Sequence, residues 1–446
     1  MNEMPISWVT LPFGELNKFY GPNIDPASHP TERFELYSIP AFPTRKPEQP
    51  FGSEVGSTKQ MVEHNDVLIS KINPRINRVW QVGPCMGLRQ IASSEWIGFR
   101  SPQMDARFFR YYFTGPIFRD LLCSDVTGVG GSLTRAQPKR VAGFPVPVAP
   151  VAEQKRIADK LDAVLTRVDA VNTRLARATP LLKRFRQSVL AAATSGRLTE
   201  DWRDTGLSLT AWVRTTFGAI SADLRYGTSK KCTSEPTGNA VLRIPNIGSD
   251  GGPELSNLKY AEFDSADQAK LALRVGDLLI IRSNGSLDLV GKCCVVNEKA
   301  AGMLFAGYLI RLRVEAARAL PSFIFLTLSS PLIRGVIERT AKSTSGVNNI
   351  NSEELRSLPL HLPPLDEQAE IVRRVEILFA LASRLEARLQ TAQTATERLT
   401  PALLAKAYRG ELVPQDPNDE PASELLRRLQ QDARSNSTKR GRKRIA

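Results

Sequence analysis

PVPVAPVAEQKRIADKLDAVLTRVDAVNTRLARATPLLKRFRQSVLAAATSGRLT, from Pro145 to Thr199, returns 214 residues later as PLHLPPLDEQAEIVRRVEILFALASRLEARLQTAQTATERLTPALLAKAYRGELV, from Pro359 to Val413. The copies align over 55 positions without a gap, and 14 positions are identical, among them Pro150/Pro364, Glu153/Glu367, Gln154/Gln368, Ile157/Ile371 and Gly196/Gly410. Average composition yields about three or four. So long a period excludes a solenoid, whose repeats run roughly 20–45 residues. In the first copy Ile157, Leu161, Val164, Val168, Val171 and Leu175 are spaced 4, 3, 4, 3, 4; Ile371, Val375, Leu378, Ala382, Leu385 and Leu389 repeat that spacing in the second. This is the a/d seam of a helix that packs along another helix. Prolines precede each copy, and acids (Glu153; Asp366, Glu367, Glu370) open it, as suits a helix N-terminus. Gly196 and Gly410 stand where a C-terminal cap is expected. Each helix would run roughly 60 Å at about 1.5 Å per residue. Pro180 and Pro401 predict a kink or a break in each. The simplest arrangement pairs the two as an antiparallel coiled coil; the alternative gives each a different protein partner, and both can hold.

The segments before the helices also match, more loosely. Trp8-Val9, Phe13-Gly14 and Leu16 recur as Trp212-Val213, Phe217-Gly218 and Ile220. NDVLISK (Asn65 to Lys71) resembles GDLLIIR (Gly276 to Arg282): an aspartate, a short apolar strand, a basic end. Two apolar helical stretches sharing a proline follow, RFFRYYFTGPIF (Arg107 to Phe118) and SFIFLTLSSPLI (Ser322 to Ile333). Each half then has a Gly/Ser/Thr-rich loop, TGVGGSLTR (Thr127 to Arg135) and STSGVNNIN (Ser343 to Asn351). The expected order is a globular domain over 1–150, a helical spacer over 151–205, a second domain over 206–362, a second spacer over 363–413, and over 414–446 a short helix (Ala422 to Ala433) with a disordered basic tail, KRGRKRIA. Short strands mixed with a few helices, with no fixed βα period, predict an α+β fold with two similar mixed α/β domains.

Of the 446 residues, 42% are apolar and 24% charged, the composition of a soluble globular protein. Lys and Arg number 60 against 46 acids, a formal charge of +14, which favours a polyanionic partner. No apolar run approaches the roughly 18 residues of a membrane span. The N-terminus has no charged-then-apolar export layout, so a cytoplasmic location without membrane partners is expected. The five cysteines form no CxxC pair, and their odd number argues against a disulfide framework; Cys293-Cys294 reads as buried strand thiols. There is no Walker A pattern, and GVGG (Gly128 to Gly131) lacks the strand–turn–helix context of a dinucleotide site. His29, His64 and His361 lie too far apart for metal-ligand spacing or a triad. Asn73-Pro74-Arg75 resembles the start of an adenine methyltransferase motif but lacks its second proline and aromatic residue. Neither catalysis nor a bound cofactor or metal is expected of this chain.

Binding features are better represented. Basic, aromatic and amide residues concentrate in loops of both domains: Lys71, Arg75, Arg78, Arg89 and Arg135 in the first; Arg225, Tyr226, Lys230, Lys231, Arg243, Asn246, Arg282 and Asn284 in the second. Arg and Lys neutralise phosphates, and Arg and Asn can read base edges with two hydrogen bonds.

Two unlike domains alternating with two similar helices, each entered through PxPPLxEQ and left through GxL, resemble the specificity subunit of type I restriction-modification systems. The entry reads PVPVAPVAEQ in the first copy, with Ala149 and Ala152 departing from the pattern, and PLHLPPLDEQ in the second. RYGTSKK and VLRIPNI also look like that family's target recognition segments. The resemblance implies that each domain reads one half of a bipartite, asymmetric target in double-stranded DNA. It implies that the helices fix the spacing and dock modification subunits, two of them, and that restriction subunits join. S-adenosylmethionine, ATP and Mg would be bound by those partners. The rival readings are a helical assembly scaffold without DNA readout and a fused methyltransferase or nuclease.

Overall fold

Both proline-flanked repeats fold as long helices, Val151–Thr194 and Leu365–Ala407, each about 65 Å at about 1.5 Å per residue. Each terminates where glycine takes up a left-handed backbone, Gly196 at φ 79° and Gly410 at φ 74°. Pro180 and Pro401 lie inside the helices, so of the expected kink or break, the break does not occur. Both prolines sit on exposed helix surface, where water can satisfy the carbonyl that loses its N–H partner.

The computed structural model describes residues 4–124, 126–127, 134–203, 212–248, 250–344 and 346–428. They form two compact units, one drawn from Met1–Leu175 and Thr391–Ala446, the other from Ala176–Gln390. Each unit therefore contains one globular domain, the start of the long helix that follows it, and the end of the other long helix.

The two domains share a frame. In the first, strand Val9–Pro12 pairs antiparallel with Pro145–Val148, Val9 opposite Val148. In the second, Val213–Thr216 pairs with Pro359–Leu362, Val213 opposite Leu362. Chain entry and exit are thus clasped at the foot of each long helix. The turn after the first strand passes so close to the exit segment that a Cβ on Gly14 would lie 3.2 Å from the Ala142 Cβ, and one on Gly218 3.1 Å from the Arg356 Cβ. A Cβ at either position would press a few tenths of an ångström into its neighbour, and glycine avoids that crowding. The apolar run of each NDVLISK-like motif becomes a fully buried strand, Val67–Ser70 or Leu278–Ile281. The first lies between Val79–Gln81 and Trp96–Phe99; the second lies between Cys293–Val295 and Leu309–Val314, with Ser221–Tyr226 at the edge. Helix pairs Ala106–Thr114/Pro116–Ser124 and Pro321–Ser329/Pro331–Thr340 pack beside these sheets, each pair divided at its proline.

The aspartate opening each strand has a fixed task. Asp66 and Asp277, both buried, accept from the backbone N–H groups of Glu63 and Arg274 and form ion pairs with Arg100 and Arg313. A buried carboxylate is tolerated only with such complete pairing.

The long helices run antiparallel within each unit. In the second, Arg186 meets Ser383 and Glu386 while Arg374 meets Leu198 and Asp201. In the first, Ile157 and Leu161 join one core with Leu404, Ala407 and Tyr408. The heptad seam is not continuous, which corrects the sequence expectation. Ile157, Leu161, Val168, Ile371, Val375 and Ala382 are buried; Val164, Leu175, Leu378 and Leu389 are half-buried; Val171 and Leu385 are 41% and 42% exposed. The ends of each helix pack on a globular core as well as on a helix, so burial concentrates there. Leu161→Ala should accordingly cost about 2–5 kcal/mol, whereas Val171→Ala should change chemical denaturation little; equal midpoints would show that the seam contributes evenly. The C-terminal segment is helical over 422–428 and packs Ala422 and Leu425 into the first core; the rest of the expected Ala422–Ala433 helix, the basic tail and Gly128–Gly131 lie outside the described residues.

Candidate nucleic-acid interface

The two buried strands end at Lys71 and Arg282, and the backbone treats these residues alike. The Lys71 N–H donates to the Glu95 carbonyl and its own carbonyl accepts from Ala136. The Arg282 N–H donates to the Tyr308 carbonyl and its carbonyl accepts from Ile350. The same loops therefore converge on equivalent edges of both domains, at the end of a fully buried strand.

In the first domain this edge gathers four of the five predicted cations. Lys71 is half-buried and donates its ammonium to the Ser94 carbonyl at 2.5 Å; burial pushes its pKa down. Arg78 donates to the Ile72 carbonyl, and Ile72 bridges to Arg135, which is exposed and pairs with Glu95 at 3.1 Å. Arg75 is exposed on the turn Pro74–Ile76, bracketed by Asn73 and Asn77, both in left-handed backbone. Asparagine tolerates that conformation better than most side chains. Arg89 does not join them. It lies on a different sheet, bonded by both arms to Glu32 (Nε to Oε1, 2.7 Å) and stacked on Phe34.

In the second domain a cavity of about 580 Å³ opens at the edge. Lys230, Arg243 and Arg282 line it, and with them Lys259, Cys232 and Tyr308. No acidic side chain lines it among the described residues. Lys230 spans the ring of Phe263 and donates to the Glu262 carbonyl; Arg243 donates to the Asn257 carbonyl at 3.0 Å. Four cations around one concave surface without a carboxylate make a local positive potential suited to phosphate and base edges.

Residues 229–392 match the family model of the type I restriction modification DNA specificity domain. Over 309 residues the chain is 36% identical to the type I restriction enzyme EcoKI specificity subunit of Escherichia coli (strain K12), covering 69% of this chain and 66% of that one. Over 319 residues it is 36% identical to the StySPI specificity subunit of Salmonella potsdam, covering 71% and 67%. The chain belongs to the family of type I restriction enzyme specificity subunits. The alignments span about two thirds of those relatives' lengths. The fold is shared with the HsdS subunit from Thermoanaerobacter tengcongensis (TM-score 0.61, 21% identity, 92% of this chain and 98% of that one). It is also shared with a chain solved within a type I R-M system (TM-score 0.73, 22% identity, 92% and 100%).

In this specificity subunit the shared EQ pair of the helix entry acquires a structural meaning. Glu153 and Glu367 each accept the indole N–H of the tryptophan that opens the domain, Trp8 at 2.9 Å and Trp212 at 3.0 Å. Each also receives a donor from just beyond the end of the other helix, Gln415 for Glu153, Thr199 and Arg203 for Glu367. Burial pushes the Glu153 carboxyl up, opposed by those hydrogen bonds. Gln154 and Gln368 cap the domain's helix pair, accepting from Asp105 N–H and Leu320 N–H, and return their amides to the carbonyls of Ala149 and Pro363.

Four of the predicted contacts of the second domain, Asn246, Arg225, Tyr226 and Asn284, make bonds within the domain. Asn246 is wholly buried, with its amide on the Glu254 carbonyl at 2.7 Å and its oxygen on the Arg243 N–H. Arg225 is paired with Asp223. The Tyr226 hydroxyl is bonded to Ser352. Asn284 folds back to accept the Ser286 N–H at 2.8 Å, and Lys231 is exposed. Lys259 and Tyr308 were missed: each belongs to a separate chain segment that only sheet pairing brings to the cavity.

Among the described residues no three His, Cys, Asp or Glu side chains gather to hold a metal, and no helix is long and apolar enough to cross a membrane.

Proposed function

We propose that this specificity subunit carries no catalysis and recognises a bipartite double-stranded DNA target, one half-site per globular domain. The antiparallel helices set the spacing and offer docking faces to two modification subunits, which restriction subunits then join. S-adenosylmethionine, ATP and Mg belong to those partners. The observation that carries the reading is the basic edge recurring at the end of the same buried strand in both domains, opened in the second into a cation-lined cavity. The unlike residues at the two edges, Lys71 and Arg282, fit unlike half-sites. The cytoplasm, where chromosomal DNA lies, is the matching location.

Mapping methylated adenines in the host genome, with and without this chain, tests the proposal and yields both half-sites with their spacer. A gel shift of the assembly formed with modification subunits, on that target against a scrambled duplex, is the direct measure. Arg282→Ala is expected to weaken target binding by roughly 1–3 kcal/mol at fixed salt. An unaltered affinity removes Arg282 from the interface, and equal binding of both duplexes removes the function.

A further inference from the structure

We propose that Arg282 reads a guanine in one half-site, and that Tyr226 and Asn349 hold its guanidinium in the orientation this requires; the proposal rests on the DNA-recognition function above. Three restraints act on Arg282. Its backbone is fixed on both sides, by Tyr308 and by Ile350. Its guanidinium carbon lies 4.4 Å from the centroid of the Tyr226 ring. Its Nε donates to the Asn349 Oδ1 at 3.3 Å. Tyr226 is itself fixed: its hydroxyl accepts the Ser352 N–H at 2.7 Å and donates to the Ser352 hydroxyl at 3.1 Å, at the start of the helix Ser352–Ser357. Asn349 stands on the strand Val347–Asn349, paired with Ser283.

What remains is the outer edge of the guanidinium. Neither Nη has a hydrogen-bond partner among the described residues, and Arg282 lines the basic cavity. A phosphate contact asks only for charge, which Lys230 and Lys259 already supply there. A stacked guanidinium with its Nε occupied instead presents a planar pair of donors at low entropic cost. That matches two coplanar acceptors, the N7 and O6 that guanine shows in the major groove. Arg225, Arg311 and Arg313 in the same domain have no such edge to offer, because each is bonded to a carboxylate. At the equivalent position of the first domain stands Lys71, tied to the Ser94 carbonyl, so this arginine–guanine contact has no counterpart at that position.

The test uses the assembly formed with modification subunits and a duplex carrying the target mapped from host methylation. Each guanine of the two half-sites is replaced in turn by 7-deazaguanine, which lacks the N7 acceptor. One replacement is expected to weaken wild-type binding roughly 10- to 100-fold while leaving Arg282→Ala almost unchanged, and Arg282→Lys should not restore discrimination. Tyr226→Phe keeps the ring and should keep discrimination at that guanine. Tyr226→Leu should lose it while preserving the salt dependence of binding and the preference at all other positions. Specific binding with no guanine coupled to Arg282, or with Tyr226→Leu as discriminating as wild type, overturns the proposal. Absence of sequence preference in the wild-type assembly would instead overturn the DNA-recognition function beneath it.

Discussion

Replacing Asp223 by alanine will destabilise the second unit by about 3–5 kcal/mol, because it leaves the buried cation Arg311 without its counter-charge. Arg311 is 2% exposed and lies in the centre of the sheet, on the strand Leu309–Val314. Its Nε and one Nη bond to the Asp223 carboxylate, while the other Nη reaches the Ala272 carbonyl at 3.0 Å. Burial lowers the Arg311 pKa, and the Asp223 pairing opposes that. Burial alone would raise the Asp223 pKa; the hydrogen bonds from Arg225 and Arg311 overcome it and hold the carboxyl below its ordinary value. A carboxyl depressed in the native state contributes stability that is complete above its unfolded value, about 3.9, and is lost as pH falls through the native value. Wild-type stability of this unit should therefore decline in that acid range, and Asp223→Ala should remove this part of the decline. Asp223→Leu combined with Arg311→Met removes both charges and should cost much less than the single change. Chemical denaturation of the three proteins checks this; a single variant no less stable than the double would mean that the pair is not internally compensating.

Arg311 also shows why the fold was more legible than the site. The helices, their entry prolines, their capping glycines and the buried strands all came from periodicity and repetition, which are properties of local sequence. Whether an arginine faces DNA or an internal carboxylate is decided by what the sheet places opposite it. Arg225 and Arg89 looked like Arg282 in sequence, yet Asp223 and Glu32 hold them, and Asp223 also holds Arg311. Asn246 looked like a base-reading amide but is the cap of its own turn. Glu153 and Glu367 were read as helix-end charge; their indole partners lie 145 and 155 residues away, beyond any local signal. The repeated Trp8 and Trp212 were the available clue, since two matched motifs recurring together in both halves point to a mutual contact.

Shortening both long helices by two turns should shorten the DNA spacer while leaving both half-sites unchanged. Residues 181–187 and 384–390 are suitable, because the helices meet there through Arg186 and Glu386, so the deletion removes both partners of one ion pair. Seven residues preserve the heptad phase and withdraw about 10.5 Å of helix, equal to roughly 3 base pairs at about 3.4 Å each. The original target should then fail, since each domain can still find its own bases but no longer both at once. Three base pairs also turn the duplex by roughly 100° at about 10–10.5 base pairs per turn, so the new target should be bound less tightly than the original by the wild type. Deleting four residues from each helix instead breaks the heptad phase and should destabilise the pair, which thermal unfolding would register before any DNA is added. Methylation mapping in a host carrying the seven-residue variant reads the outcome. Unchanged half-sites about 3 base pairs closer are the expected result, whereas altered half-site bases, or an unaltered spacer with binding retained, would show that something other than helix length measures the distance.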